Sequence, residues 1–508
     1  MKKSIDRPSS EEIKKNRSAR RQAQRELRER EKAQGLVTPP RVAIPNKVSP
    51  YKTVEEEQKA RQDATIEQVR IFRDQLPILL KRLEKIKDLR EPKKVKHKVT
   101  VLLLYGILTF VFQMTSRRHA NRTVTRPQFV ENLKLLFPDL ESIPHHDTLN
   151  RLLCDIDVSQ IEVAHLDVVR RFFRNKTFRR YLIANCYPIA VDGSQKLVRD
   201  IQWCAETLQR EIKKGDDTAD QHYVYVLEAN LAFHNGMTIP LMSEFLSYPD
   251  GDIENAKQDC EQKAFHRLAG RLKGEFSHLP MMILLDGLYP NGPILKLLRD
   301  NNWEFMIVLQ DKSLPSVWEE VKGLKKLLPE NHLLRQWYKR QQHFSWVNDI
   351  DYSYGDNNRL HQKVHVVICE ETWQEVDKKS AKVLTKTSRH VWISSRPLNV
   401  GNVHERCNLG ARHRWSGIES SFQVEKRQGY QYEECFSYDW DAMKGYHYLM
   451  RLGHMLNVLA QYASSLVGLV RQLGVRGFIE FVVDTVAGRW LHSWTVRDRL
   501  AAPFQFRL

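Results

Sequence analysis

Between about residues 55 and 180 apolar side chains recur every three or four positions, which predicts a run of packed helices. VEEEQKARQDATIEQVRIFRDQLPILLKRLEKI opens the run, VTVLLLYGILTFVFQM follows, and then come PQFVENLKLLF and PHHDTLNRLLCDI, with Asp147 or Thr148 placed as an N-cap. The run Val99 to Met114 spans 16 residues, short of the ~20 that cross a bilayer, and reads as a buried helix. Segments 127–137 and 147–154 fit a helix-turn-helix and ordinary helix packing equally well.

At residue 187 the pattern changes. YPIAVDGS reads as a short apolar strand ending in an acid and a turn. HYVYVLEANLAFH and MTIPLMSEFL, joined at Asn235-Gly236, predict a hairpin. A helix is expected over ENAKQDCEQKAFHRLAGRLKGEF, a buried strand over MMILLDGLY, a helix over PNGPILKLLRDNN and a further strand over EFMIVLQ. A hairpin followed by strand-helix crossovers gives a mixed sheet in an α/β fold. Residues 311–405 break that order with three strand-like runs, QWYKRQQHFSWVNDIDYSY, KVHVVICEETWQEV and RHVWISSRPL, which predict a β-rich insertion. Its tryptophans, Trp337, Trp346, Trp373 and Trp392, suit core packing, and any one of them could instead stack on a base. Helices return at 413–428, 441–470 and toward the C-terminus.

At 508 residues the chain has room for two to four domains, and its 42% hydrophobic content supplies a core. Lysine and arginine number 80 against 62 acids, a net charge of +18 that favours a polyanionic partner, nucleic acid before membrane. Residues 1–50 hold 14 basic and 6 acidic side chains, so 14 − 6 = +8 of that excess lies in a tail expected to be flexible, or transiently helical through RSARRQAQRELREREK. The seven cysteines form no CxxC, which predicts reduced thiols and a cytoplasmic protein. His404 and Cys407 lack a second pair at ligand spacing, so no zinc site is expected. The N-terminus has no apolar stretch of the signal-peptide kind.

Asp192 and Asp286 each follow an apolar strand and precede a glycine. Either alone is more simply a turn residue. Together, at neighbouring strand ends, two carboxylates would suit Mg²⁺ or Mn²⁺, which prefer oxygen ligands, and two such ions about 4 Å apart drive in-line phosphoryl transfer. Glu228 and Glu244 fall in the hairpin, where charges on an exposed face are routine. No serine, cysteine or histidine arrangement of nucleophilic catalysis is visible.

DGLYP at the MMILL strand, KQDCE upstream of it, and HRWSGIESSFQVEKRQGYQYEECFS further on resemble the DDE transposases of bacterial insertion sequences, most closely the insertion-sequence-four-like group. The likeness covers roughly 75–500. It implies a ribonuclease H-like catalytic domain, a mixed α/β sheet interrupted by the β-rich insertion and preceded by a helical DNA-binding region. The corresponding boundaries are 1–54 for the tail, 55–182 for the helical region, 183–310 and 406–508 for the two catalytic parts, and 311–405 for the insertion. Asp192, Asp286 and Glu419 match the metal-binding catalytic triad, which implies two Mg²⁺ or Mn²⁺ ions. Lys426 matches the signature lysine. The signature arginine position holds Trp415, with Arg414 one place off, and the tyrosine position holds Arg412; a subgroup with one extra residue would use Arg414. Arg412, Arg414 and Lys426 are then expected to meet DNA phosphates. Glu425, Glu433 and Glu434 are nearby acids. Glu425 is rotated about 120° from the Glu419 stripe, so removing its charge is expected to spare cleavage.

The implied activity is transposition: binding of terminal inverted repeats and target DNA, metal-dependent cleavage and strand transfer by a homodimer or larger assembly in a bacterial cytoplasm, on the nucleoid. A fold-retaining DNA-binding protein without catalysis, or a metal-dependent nuclease without strand transfer, are the other readings.

Overall fold

The computed structural model describes residues 9–37, 44, 46, 48–214, 217–247 and 260–508, except the side chains of 214, 217 and 415–420. The start of the tail, most of the proline-broken stretch 37–50, and residues 257–259 of KQDCE lie outside the described residues. The chain divides into two compact units, Met1–Val42 with Leu285–Ala411, and Ala43–Leu284 with Arg412–Leu508.

The first unit contains helix α1 (Ser10–Ala33), where the tail was expected to be flexible or only transiently helical. Ser9 and Glu12 form a reciprocal capping box, with Ser9 N donating to Glu12 Oε2 at 2.7 Å, and Leu27 and Glu31 are buried. Glu31 pairs with Lys339, and Asn16 donates to the Lys379 carbonyl, so α1 rests on the β-rich segment. That tertiary support adds to the capping box in holding the helix in place. The segment's strands are β6 (Glu304–Val308), β7 (His332–Trp337), β8 (Arg340–Tyr354), β9 (Leu360–Val376) and β10 (Val383–Ser394). They pair antiparallel in the order β6-β10-β9-β8-β7. The first of the three expected runs is a hairpin of two strands. Tyr338 adopts φ 52° in the two-residue turn between Trp337 and Arg340, which sit opposite one another. Trp346 and Trp392 are buried at 4% exposure, and the Arg340 guanidinium lies 3.9 Å over the Trp373 ring. Helix α10 (Pro315–Leu327) packs on β8.

The second unit holds the helical run: α2 (Val54–Leu83), α3 (Val99–Val111), α4 (Arg117–Val124), α5 (Pro127–Leu136), α6 (His146–Asp155) and α7 (Ser159–Arg174). Nearly every residue of α3 is buried, as its apolar sequence predicts. It packs against α12 (Trp440–Tyr462), buried almost throughout, so the helical run shares one core with the C-terminal helices α12, α13 (Val467–Ala487) and α14 (Ser493–Ala501). The cap of α6 is His145, and Asp147 sits in the first turn paired with Arg117. Nine residues, 137–145, separate α5 from α6, against the three or four of a helix-turn-helix, and α5 packs on α13 and α14 while α6 packs on α3 and α12. These two helices are ordinary core elements.

The same unit carries a mixed sheet built from β1 (Tyr187–Arg199), β2 (Leu208–Lys214), β3 (Asp217–Ala232), β4 (Thr238–Leu246) and β5 (Met281–Leu285). β1 is antiparallel to β3 and parallel to β5, with Ile189 opposite Leu231 and Ile283. β3 is long enough to pair β2 along one half and β4 along the other. The β3–β4 hairpin turns as expected, with Gly236 at φ 90°, a conformation open to glycine. Helix α8 (Glu261–Glu275) packs on β4, and α11 (Arg412–Arg427) packs on β1, β3 and β4.

Candidate functional site

β1 continues to Arg199, so Asp192 stands inside a strand and not at its end. The segment after it, SQKLVR, is held in the ladder by residues 222–226 of β3, which the Asp-Gly signal concealed. Asp192 lies opposite Glu228. Its Oδ1 accepts a bond from the Gly193 amide at 3.0 Å, and its Oδ2 lies 3.4 Å from Arg414 Nη1 on α11. The arginine is almost buried, with 8% of its side chain exposed against 26% for the aspartate. Gly193 permits close approach and not a turn: a Cβ there would sit 2.4 Å from Tyr225 Cε1 and 2.8 Å from Glu261 Oε1.

Helix α11 runs unbroken through positions 412, 419 and 426, so the seven-residue spacing puts them on one stripe. The side chain of Glu419 lies outside the described residues. Lys426 pairs with Glu433 Oε1 at 3.0 Å and lies 5.6 Å from the Tyr432 ring, and Arg412 is half-buried. In the other unit, Asp286 follows β5 in a turn, its Oδ1 accepting from the Leu288 amide at 2.9 Å. A Cβ on Gly287 would meet the Gln310 side chain at 2.5 Å.

Behind Asp192 lies a buried charged cluster that the sequence reading missed. Glu228 and Glu425 are wholly buried, and Arg451 of α12 is 3% exposed. The Arg451 guanidinium reaches Glu228 Oε2 at 3.0 Å with one arm and Glu425 Oε1 at 3.3 Å with the other. His454 Nδ1 is 2.7 Å from the same oxygen of Glu425, and His447 Nε2 is 3.2 Å from Glu228 Oε1. Ser243 Oγ donates to Glu228 at 2.8 Å, and the Tyr432 hydroxyl donates to it at 3.2 Å. The Lys196 ammonium, also buried, donates to the Tyr432 carbonyl at 2.9 Å.

The charges follow from these contacts. Burial by itself would raise both carboxyls, but Arg451 with His447 holds Glu228 below the usual range, and Arg451 with His454 does the same for Glu425. Burial depresses Lys196 to about 8, with Glu228 and Glu425 opposing it. Glu425 Oε2 and both amide atoms of Asn230 are buried without a protein partner, positions commonly met by ordered water.

Glu228 is therefore an interior residue and not the exposed-face charge expected for a hairpin strand. Its flanks signal this, since YVYVLEANLAF is apolar on both faces. The partner signal is His447, Arg451 and His454, spaced by four and three within the otherwise apolar stretch 445–456 of the helix, which places them on one face.

Among the described residues, no group of three or more His, Cys, Asp or Glu side chains is arranged to hold a metal ion, and none of the helices is long and apolar enough to cross a membrane. A family model described as DDE_Tnp_1-associated matches residues 80–169, from the end of α2 into α7. Over those residues the chain is similar to a domain associated with DDE-type transposases. No curated protein matches the chain.

Proposed function

We propose that the protein is a transposase that cleaves the ends of its own element and joins them to target DNA, with Asp192, Asp286 and Glu419 as metal ligands. The observation that carries this reading is the contact between Arg414 and Asp192, which sets the helix bearing position 419 against the strand bearing the first carboxylate. The strand order β4-β3-β1-β5 supports a ribonuclease H-like core. Asp192 and Asp286 each stand two residues beyond a paired position, Ala190 and Leu284 of the parallel β1–β5 pair. The family match over 80–169 supports transposition over other phosphoryl-transfer reactions.

The donor set is all carboxylate, which fits Mg²⁺ or Mn²⁺. A pair of such ions, when bound, supplies activation of a water or 3′-hydroxyl and stabilisation of the leaving oxygen. The chain's own part is to orient. Gly193 lets β1 and Tyr225 approach, Arg414 holds Asp192 and offers positive charge to phosphate, and Arg412 and Lys426 flank position 419 for the same purpose. Because two element ends must be held together for joining, the active species is a homodimer or larger on DNA.

The test is a plasmid carrying the genomic DNA that flanks the coding sequence, incubated with protein and Mg²⁺ or Mn²⁺. Cleaved and joined products are expected from the wild type. Asp192→Asn and Glu419→Gln should abolish both while leaving DNA binding nearly unchanged. Cleavage with no joined product would reduce the reading to a nuclease, and no cleavage in either metal would remove it.

A further inference from the structure

We infer that Arg451 is a positioning residue for the proposed site: its guanidinium clamps α11, which bears position 419, to β3, the strand paired with that of Asp192. The inference rests on the function proposed above and adds a residue far from the metal-ligand motif.

The geometry is specific. One planar fork spans two carboxylates on two different elements, Glu228 of β3 at 3.0 Å and Glu425 of α11 at 3.3 Å. A second bond from its Nη2 to the Ala229 carbonyl, at 3.2 Å, ties the same arm to the β3 backbone. A guanidinium held at three points fixes direction as well as distance, which an ammonium does not. Position 425 lies six residues beyond 419, about 9 Å along the helix, so any slide or roll of α11 that moves Glu425 also moves 419. His454 braces Glu425 from α12 at 2.7 Å. Glu228 itself is opposite Asp192 in the ladder, so the chain of contacts runs from the first carboxylate's strand to the third carboxylate's helix.

Stability alone is a poor explanation for this arrangement. Buried Glu–Arg–Glu clusters can often be replaced by apolar side chains without loss of stability, because removing the charges from water costs about what their attraction returns. What an apolar replacement does not reproduce is a fixed orientation between two elements.

Two variants test this. Arg451→Lys keeps the charge and removes the fork, while the triple change Glu228→Gln, Glu425→Gln and Arg451→Met removes all three charges together. Amide hydrogen exchange is followed in the protein without DNA or metal, and cleavage of the flanking-DNA plasmid is followed with Mn²⁺. In both variants protection of 412–427 should fall while that of α3 stays at the wild-type level. Cleavage at saturating DNA should drop by about tenfold to a hundredfold with DNA binding unchanged, and the Mn²⁺ concentration for half-maximal cleavage should rise.

Wild-type exchange in α11 with wild-type cleavage, in a folded variant, overturns the clamp. So does an equal loss of protection in α3 and α11, which marks a merely structural role. If Arg451→Lys does not fold, the triple variant decides. Should the wild type show no cleavage that Asp192→Asn removes, the transposase reading fails, and the exchange of α11 still decides the clamp.

Discussion

Glu425 shows how far an angular argument reaches. Its offset of about 120° correctly turns it away from the stripe of positions 412, 419 and 426, but the direction it faces is the interior, against Arg451 and His454. Glu425→Gln is therefore not silent; it should lower the melting temperature. Arg451→Met, which strands two carboxylates, should cost about 3–5 kcal/mol in denaturant unfolding. Gly193→Ala is expected to destabilise β1 and reduce cleavage, since the added methyl overlaps the Tyr225 ring and Tyr225 is bonded to Glu261. A pH effect follows from Glu162. Burial raises its carboxyl to about 7 from the usual 4.5, against the pull of Arg271 and the Ser243 amide. The folded protein then binds a proton more tightly than the unfolded chain, so this contribution is present below pH 4.5 and lost as the pH climbs toward 7. The urea midpoint should fall less across that window in Glu162→Gln than in the wild type. Asp192 was legible because an acid after PIAV is conspicuous. Arg451 was not, because its partners are 26 and 223 residues away and only the fold brings them together.

Elements were more legible than their neighbours. The β3–β4 hairpin, the buried helix α3 and the strand β5 follow from local pattern and turn chemistry, whereas the place of β5 beside β1 was expected only from the family resemblance. Where a partner decides, the sequence fell short. α1 is stabilised by Lys339 and the Lys379 carbonyl, more than 300 residues distant, and the continuation of β1 beyond Gly193 depends on β3. The fixed helix sharpens the expectation for DNA binding. Arg17, Arg21, Arg25 and Arg28 are exposed and fall within one stripe of α1. Changing all four to Gln leaves Leu27 and Glu31 to hold the helix. It should flatten the plot of log affinity against log salt by about 3 to 4 if each contacts a phosphate. The loss should be similar on all DNA sequences, measured by titration at several salt concentrations; loss of specific binding alone would contradict a role limited to backbone contacts.

For the whole molecule, the net charge of +18 and the DDE_Tnp_1-associated match point in the same direction, although the match covers helices and none of the three proposed ligands. The DNA complex formed with paired ends should have the mass of at least two chains in light scattering; full joining activity from a single chain would exclude the proposed assembly. The layout of the second unit bears also on how the protein is made. Its helix α12, buried on nearly every side, lies in Arg412–Leu508, while α3 and the strands lie in Ala43–Leu284. A ribosome must therefore finish residues 285–411 before the helix that covers α3 exists. Until then the nascent chain carries an uncovered apolar helix, a target for chaperones and proteases. Chains cut short by a premature stop or a frameshift before residue 440 would lack α12 altogether and leave α3 of the second unit exposed to proteases. The first unit is finished by residue 411, so a chain broken there would lose the core of the second unit and not that of the first.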